Sequence, residues 1–162
     1  MSSRLKKKFF QSLFEIFQNA AIHSQSKSGI FTCGQFFPNK KRVDFTIADA
    51  GIGFRQNVRR YLRDNKISSC KAIEWALQEG HTTKTGKYPG GLGLKLIKDF
   101  IRFNQGKIQI VSRYGFYEFT HAGESLKKMG HDFPGSCVNI EINTNAPSMY
   151  ILSSESRTED IF

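Results

Sequence analysis

The chain has no stretch approaching the ~18 consecutive apolar residues that a membrane-spanning helix needs, so the sequence predicts no membrane span. It does not open like a secretory leader either. Met1-Ser-Ser-Arg-Leu-Lys-Lys-Lys8 is basic, but only Phe9 and Phe10 follow before Gln11, with no apolar core behind the charges. Cysteine is scarce and unpaired: Cys33, Cys70 and Cys137 are odd in number, and none stands in a C-x-x-C pair. Free thiols in a reducing, cytoplasmic compartment are the default reading. His81, His121 and His131 lack the spacing of zinc ligands, and surface loops account for them. Acidic residues are few, 14 against 24 Lys and Arg, which leaves a net charge of +10. That balance is compatible with nucleic acid, an acidic protein partner or a polyphosphate ligand. The lysines are spread along the chain without an RNA or DNA motif, so a solvated basic surface is favoured over a nucleic-acid face. There is no internal repeat and no sign of a second domain.

What is present suits one folded unit. The 162 residues are 39% hydrophobic and include 15 Phe, enough for a real core. A first helix capped by Ser2 or Ser3 carries Phe10, Leu13, Phe14, Phe17 and Ala21 as one apolar stripe. Glu15, Asn19 and His23 form a second stripe nearly opposite. The spacing predicts strands over 30–37 and 43–48, joined antiparallel through Pro38-Asn-Lys-Lys41. Helices are predicted over 55–64, over 69–78 with Ser68 or Ser69 as cap, and over 92–104. Residues 107–112 and 116–119 read as a hairpin around Tyr114-Gly115, residues 121–135 as a loop, and Val138, Ile140 and Ile142 as a last alternating strand. Residues 1–143 thus make one α/β two-layer sandwich, with a mixed, mostly antiparallel sheet and helices on one face. Residues 144–162 read as a loose tail.

Three stretches converge on one ligand. Val43, Phe45 and Ile47 alternate into Asp49-Ala-Gly51-Ile-Gly53. A carboxylate ending a half-buried strand is an acceptor in a partly dry place, which suits the amino group of an adenine. The two glycines let the backbone turn tightly and come close to a ligand. On the first helix, Asn19 offers a carbonyl oxygen, a hard ligand for Mg²⁺ shared with phosphate. Glu15, one turn earlier, is placed to orient or deprotonate a water or hydroxyl. Gly90-Gly-Leu-Gly93 precedes a helix, whose free N–H groups attract phosphate. The long polar loop of residues 80–91 includes Lys84 and Lys87, which either reach phosphates or simply solvate an exposed loop. A P-loop is excluded, because Gly80 to Tyr88 is one residue too long and ends in Tyr. A Rossmann turn is excluded too, since Gly91-Leu-Gly93 lacks the third glycine and comes after a loop.

The same residues carry a family resemblance. Glu15-Ile-Phe-Gln-Asn19-Ala20 resembles the N box of the GHKL superfamily, the ATP-binding domains of gyrase, heat-shock chaperones, histidine kinases and MutL. Asp49-Ala-Gly51-Ile-Gly53 resembles its G1 box, and Gly91-Leu-Gly93-Leu94 its G2 box behind an ATP lid that starts at Gly80. Gly135-Ser136 is similar to the terminal Gly-Thr element. The boxes stand in the family's order over about residues 3–143. The resemblance implies the Bergerat fold and binding of ATP or ADP with Mg²⁺. It implies that Asp49 meets the adenine amino group, that Gly51 and Gly53 shape the pocket, and that Asn19 ligates the metal. Gly90, Gly91, Gly93, Leu94, Lys84 and Ser136 complete the implied nucleotide site, with Glu15 as the water-activating carboxylate. A phenylalanine box between G1 and G2 is missing. So are a phospho-acceptor hairpin before the N box and a second domain supplying a γ-phosphate lysine. In character the chain resembles stand-alone bacterial regulatory ATP-binding proteins, with the anti-sigma serine kinases as one relative.

Three functions fit these residues. One is a regulatory ATP-binding module that transfers or hydrolyses the γ-phosphate with a protein partner. The second senses nucleotide without turnover. The third, an ATPase fragment associated with nucleic acid, has only the net charge in its favour.

Overall fold

Apolar-polar alternation in 43–48 and 138–142 creates the two central strands among the described residues of the sheet. The computed structural model describes residues 3–78 and 93–145. In chain order these form α1 (Ser3–His23), β1 (Ile30–Phe37), β2 (Arg42–Asp49), α2 (Gly53–Leu62), α3 (Ser69–Leu77), α4 (Gly93–Asn104), β3 (Lys107–Thr120) and β4 (Gly123–Asn143). A short 3-10 turn, Pro38–Lys40, closes the β1–β2 hairpin. Among the described residues the strand order is β1-β2-β4-β3, and the sheet is antiparallel throughout where a mixed one is expected.

One face of the sheet is the core. Ile47 of β2, Val138 and Ile140 of β4, and Ile108 and Ile110 of β3 are buried there. They meet Phe9 and Ile16 of α1, Ile73 of α3, and Ile97, Phe100 and Ile101 of α4. Each such side chain contributes about 1.5–3 kcal/mol by leaving water. The Phe9 and Phe100 rings lie 4.8 Å apart and join α1 to α4. The opposite face is polar. Arg42 bridges Asp44 at 2.7 Å and Glu141 at 3.0 Å, and Lys107 reaches Glu141 at 2.7 Å. Thr46 donates to Asn139 and Gln109 to Glu118, both at 2.7 Å. This is the two-layer sandwich, helices on one face, that the sequence predicts. Among the described residues, no helix is long and apolar enough to cross a membrane.

Two local expectations are corrected. The apolar stripe of α1 does not turn its phenylalanines inward. Phe10, Phe14 and Phe17 are 57%, 59% and 39% exposed, while Phe9 and Ile16 are buried beside Leu13 and Ala20. Residues 9, 13, 16 and 20 repeat the same helical spacing about a quarter-turn away. Periodicity does not choose between two apolar stripes, and the sheet takes this one.

The second correction lies in the C-terminal half. Tyr114-Gly115 is not a hairpin turn: β3 runs through it, the chain reverses at His121-Ala122, and most of the expected loop of residues 121–135 is the first half of β4. The strand is interrupted instead by an irregularity. Pairing jumps from Ser112↔Ser136 to Arg113↔Phe133 to Gly115↔Lys128, and Arg113 adopts a left-handed φ of 52°. Burial shifts phase there, from Ile108, Ile110 and Ser112 to Gly115, Tyr117 and Phe119. Gly115 is needed for close packing, since a Cβ would stand 2.7 Å from Ile73 Cδ1. Ser69 Oγ accepts from the Tyr114 N–H at 3.3 Å and ties the irregularity to α3. The first half of β4 is largely exposed on both faces, so its composition is as polar as that of a loop.

Candidate functional site

The site begins where β2 ends. Ile30, Asp49, Ser136 and Ser112 are register partners across all four strands, so they form the last row of the sheet's helix-covered face. The core rows before it are apolar. This row carries a carboxylate and two hydroxyls, and Asp49 and Ser112 are only 6% and 1% exposed. Asp49 Oδ1 accepts from the Gly51 N–H at 2.8 Å. Burial pushes the Asp49 carboxyl above its ordinary value, and the N–H groups of Gly51 and Ser136 pull the other way. The result is a largely buried carboxyl held in place by backbone donors.

The glycines after Asp49 are set by close approach of backbone to backbone. A Cβ on Gly51 would overlap the carbonyl of Ser24, the oxygen that accepts from Ile52 N–H at 2.8 Å. Gly53 has φ 75°, and a Cβ there would lie 2.7 Å from Ser112 Oγ. A Cβ on Gly135, at φ 109°, would overlap the carbonyl of Asp49 itself. One hydroxyl gathers these strands. Ser112 Oγ accepts from the Phe54 N–H at the start of α2 at 2.9 Å, donates to the Gly135 carbonyl at 3.0 Å, and lies 3.1 Å from Ser136 Oγ. Asn57 of α2 donates to the His23 carbonyl at 3.0 Å, closing the turn against the end of α1. Asp49, Gly51, Gly53 and Ser136 belong to two distant stretches of sequence, yet they form one knot.

Glu15 and Asn19 lie on α1, two turns and one turn before His23, and both are part-exposed. Their helix ends at His23, and the carbonyl of the next residue, Ser24, accepts from the Ile52 N–H. Among the described residues, no group of three or more His, Cys, Asp or Glu could hold a metal alone. An Mg²⁺ ion would need oxygens from the ligand beside the carbonyl of Asn19, which fits this ion's preference for one or two protein ligands plus phosphate. Gly93 is the first residue of α4. Lys84, Gly90, Gly91 and the side chain of Leu94 lie outside the described residues. Sequence reasoning missed Ser24, Asn57 and Ser112. Ser112 had a signal: it stands in phase with Ile108 and Ile110, a hydroxyl where the core pattern calls for an aliphatic side chain.

No family model matches the sequence, and no curated protein matches it. Solved structures do. The 43K ATPase domain of Thermus thermophilus gyrase B, in complex with an aminocoumarin, is 14% identical, with a TM-score of 0.46 over 93% of this chain and 38% of that one. The topoisomerase IV ATP-binding domain of Francisella tularensis, in complex with a small-molecule inhibitor, is 12% identical, with a TM-score of 0.44 over 94% of this chain and 41% of that one. The ATPase region of Saccharomyces cerevisiae topoisomerase II is 12% identical, with a TM-score of 0.47 over 89% of this chain and 40% of that one. The chain spans about two fifths of the length of those chains. The likeness is one of fold.

Proposed function

We propose that the chain is a nucleotide-binding module that takes ATP or ADP, with Mg²⁺, at the knot around Asp49. The observation that carries this reading is the Asp49 carboxyl: buried at the end of β2, positioned by two backbone N–H groups, and walled by glycines at points where any side chain would collide. A fixed acceptor in a dry wall suits a heterocyclic amino donor, because a donor and an acceptor that meet away from water gain more than they do in it. Ser136 and Ser112 supply hydroxyls in the same row. Asn19 would hold the metal shared with the phosphates, and the metal would supply charge neutralisation there. Glu15, one helical turn away, would take a proton from water in hydrolysis or from a partner's hydroxyl in phosphotransfer.

The proposed biological role is regulatory: a cytoplasmic protein whose partner either accepts the phosphate or is controlled by the nucleotide state. The +10 charge is assigned to a solvated surface and not to nucleic acid. Calorimetric titration tests the binding half. ATP and ADP should bind more tightly with Mg²⁺ than with chelator, and Asn19→Ala should abolish that difference while keeping the metal-free affinity. Absence of nucleotide binding with and without the metal would end this reading. Binding without phosphate release or transfer, alone or with the partner, would leave a nucleotide sensor.

A further inference from the structure

Among the described residues, the sheet ends in two edges of different character. β3 carries Lys107, Arg113 and Glu118 and the left-handed kink at Arg113. Charges and bulges are the devices by which an edge strand avoids pairing with a foreign strand. β1 has neither. Ile30-Phe-Thr-Cys-Gly-Gln-Phe-Phe37 contains no charge and no proline, and it pairs with β2 residue for residue from Ile30↔Asp49 to Phe37↔Arg42. All of residues 31–36 are exposed, with Phe31 at 59% and Phe36 at 55%. The strand therefore presents eight residues of straight backbone with its outer N–H and C=O groups unpaired by any strand among the described residues. Phe31 shares a face with its partner Ala48, and Phe36 stands on the other face with Val43, so an added strand would find an aromatic neighbour on either side.

The charge around this edge selects the occupant. Lys27 precedes β1, Lys40 and Lys41 come after it, all three are exposed, and no acidic residue occurs between Ser24 and Val43. A second copy pairing antiparallel would bring Lys27 of each chain beside Lys40 and Lys41 of the other. An incoming strand with acidic residues at both ends would be attracted at both. We infer that β1 is a docking edge for an extended segment of an acidic partner protein, added as a strand beside β1, with β-branched or aromatic side chains at alternate positions and Asp or Glu flanking them. This site does not depend on the nucleotide reading, because it uses no residue of the knot around Asp49.

The test uses the full chain and the synthetic peptide Asp-Glu-Val-Thr-Val-Thr-Val-Thr-Val-Glu-Asp. Controls are the same core flanked by lysines and a version with its core amides N-methylated. Amide shifts and hydrogen exchange are read at residues 30–37. The acidic peptide should slow exchange there, and the methylated peptide should not bind. The triple variant Lys27→Glu, Lys40→Glu, Lys41→Glu, altered only at exposed positions, should bind the acidic peptide about tenfold more weakly and the lysine-flanked one more tightly. The inference is overturned if the acidic peptide leaves residues 30–37 unchanged, or if both peptides bind the native chain equally. It is also overturned if protection at 30–37 appears on raising the protein concentration alone, which would make a second copy the occupant.

Discussion

Asp49 is a carboxyl kept in a place where its charge is disfavoured. Its folded-state value is raised above the ordinary 3.8, with burial as the largest cause. The folded protein thus holds this proton to a higher pH than the unfolded chain does. The contribution of Asp49 to stability is therefore greatest below pH 3.8 and is lost as pH rises through the raised folded value. Urea unfolding of the native chain and Asp49→Asn across that window should show the native chain losing stability relative to the variant as pH rises. A native chain that instead gains on the variant as pH rises would mean that the Gly51 and Ser136 donors outweigh burial. Adenine's amino group would favour the charged carboxylate, so nucleotide binding should weaken on acidification through the same window. Under the proposed function Glu15 would have a different task, since the ground-state contacts would fall to other residues. Glu15→Ala should leave ATP affinity unchanged and slow single-turnover phosphate release or transfer by about 10²–10⁴-fold. Equal rates in the two proteins would remove Glu15 as the base and leave it a structural role on α1.

The elements around the site are held by turns more than by helix or strand propensity. The end of α1, the end of β2, the start of α2 and the Gly135-Ser136 stretch of β4 meet within a few hydrogen bonds, and Gly51 and Gly135 there lie against backbone rather than flexible side chains. Side-chain tips can move aside, but main chains held together by hydrogen bonds cannot. Gly135→Ala should therefore destabilise by ~3 kcal/mol or more, combining a disfavoured positive φ with overlap on the Asp49 carbonyl. Gly130→Ala on the same strand meets nothing within 4 Å and should stay within about 0.5 kcal/mol of the native chain. Chemical denaturation midpoints compare the two, and equal effects would contradict the packing described at the turn. The same strands show where pattern reading stops. Residues 138–142 were legible because one face is apolar, whereas 123–135 were not, because a strand exposed on most of its positions has the composition of a loop. Tyr114-Gly115 imitates a turn for a similar reason: glycine marks close approach as often as reversal, and here the approach is to Ile73 and Ser69 of α3.

The layering of the whole molecule arises from the alternation in β2 and β4, and both the sandwich and the position of Asp49 at its rim could be read from the sequence. Which side of α1 faces the sheet could not, because Phe9 and Phe10 begin equally spaced apolar stripes and only packing against the sheet and α4 decides between them. Of the convergence on the glycine turn only Ser112 left a trace; Ser24 and Asn57 are common surface residue types, and the Asn57–His23 and Phe54–Ser112 bonds span 34 and 58 positions. Asp49 as the acceptor for an adenine amino group is the central claim, and comparing ATP with inosine triphosphate, which carries an oxo group in place of the amino group, tests it most directly. Calorimetry should show the native chain preferring ATP by about 10- to 100-fold, the worth of one hydrogen bond to a charged group, with the preference gone in Asp49→Asn. Equal affinity of the native chain for the two nucleotides, or a preference that survives Asp49→Asn, would contradict it.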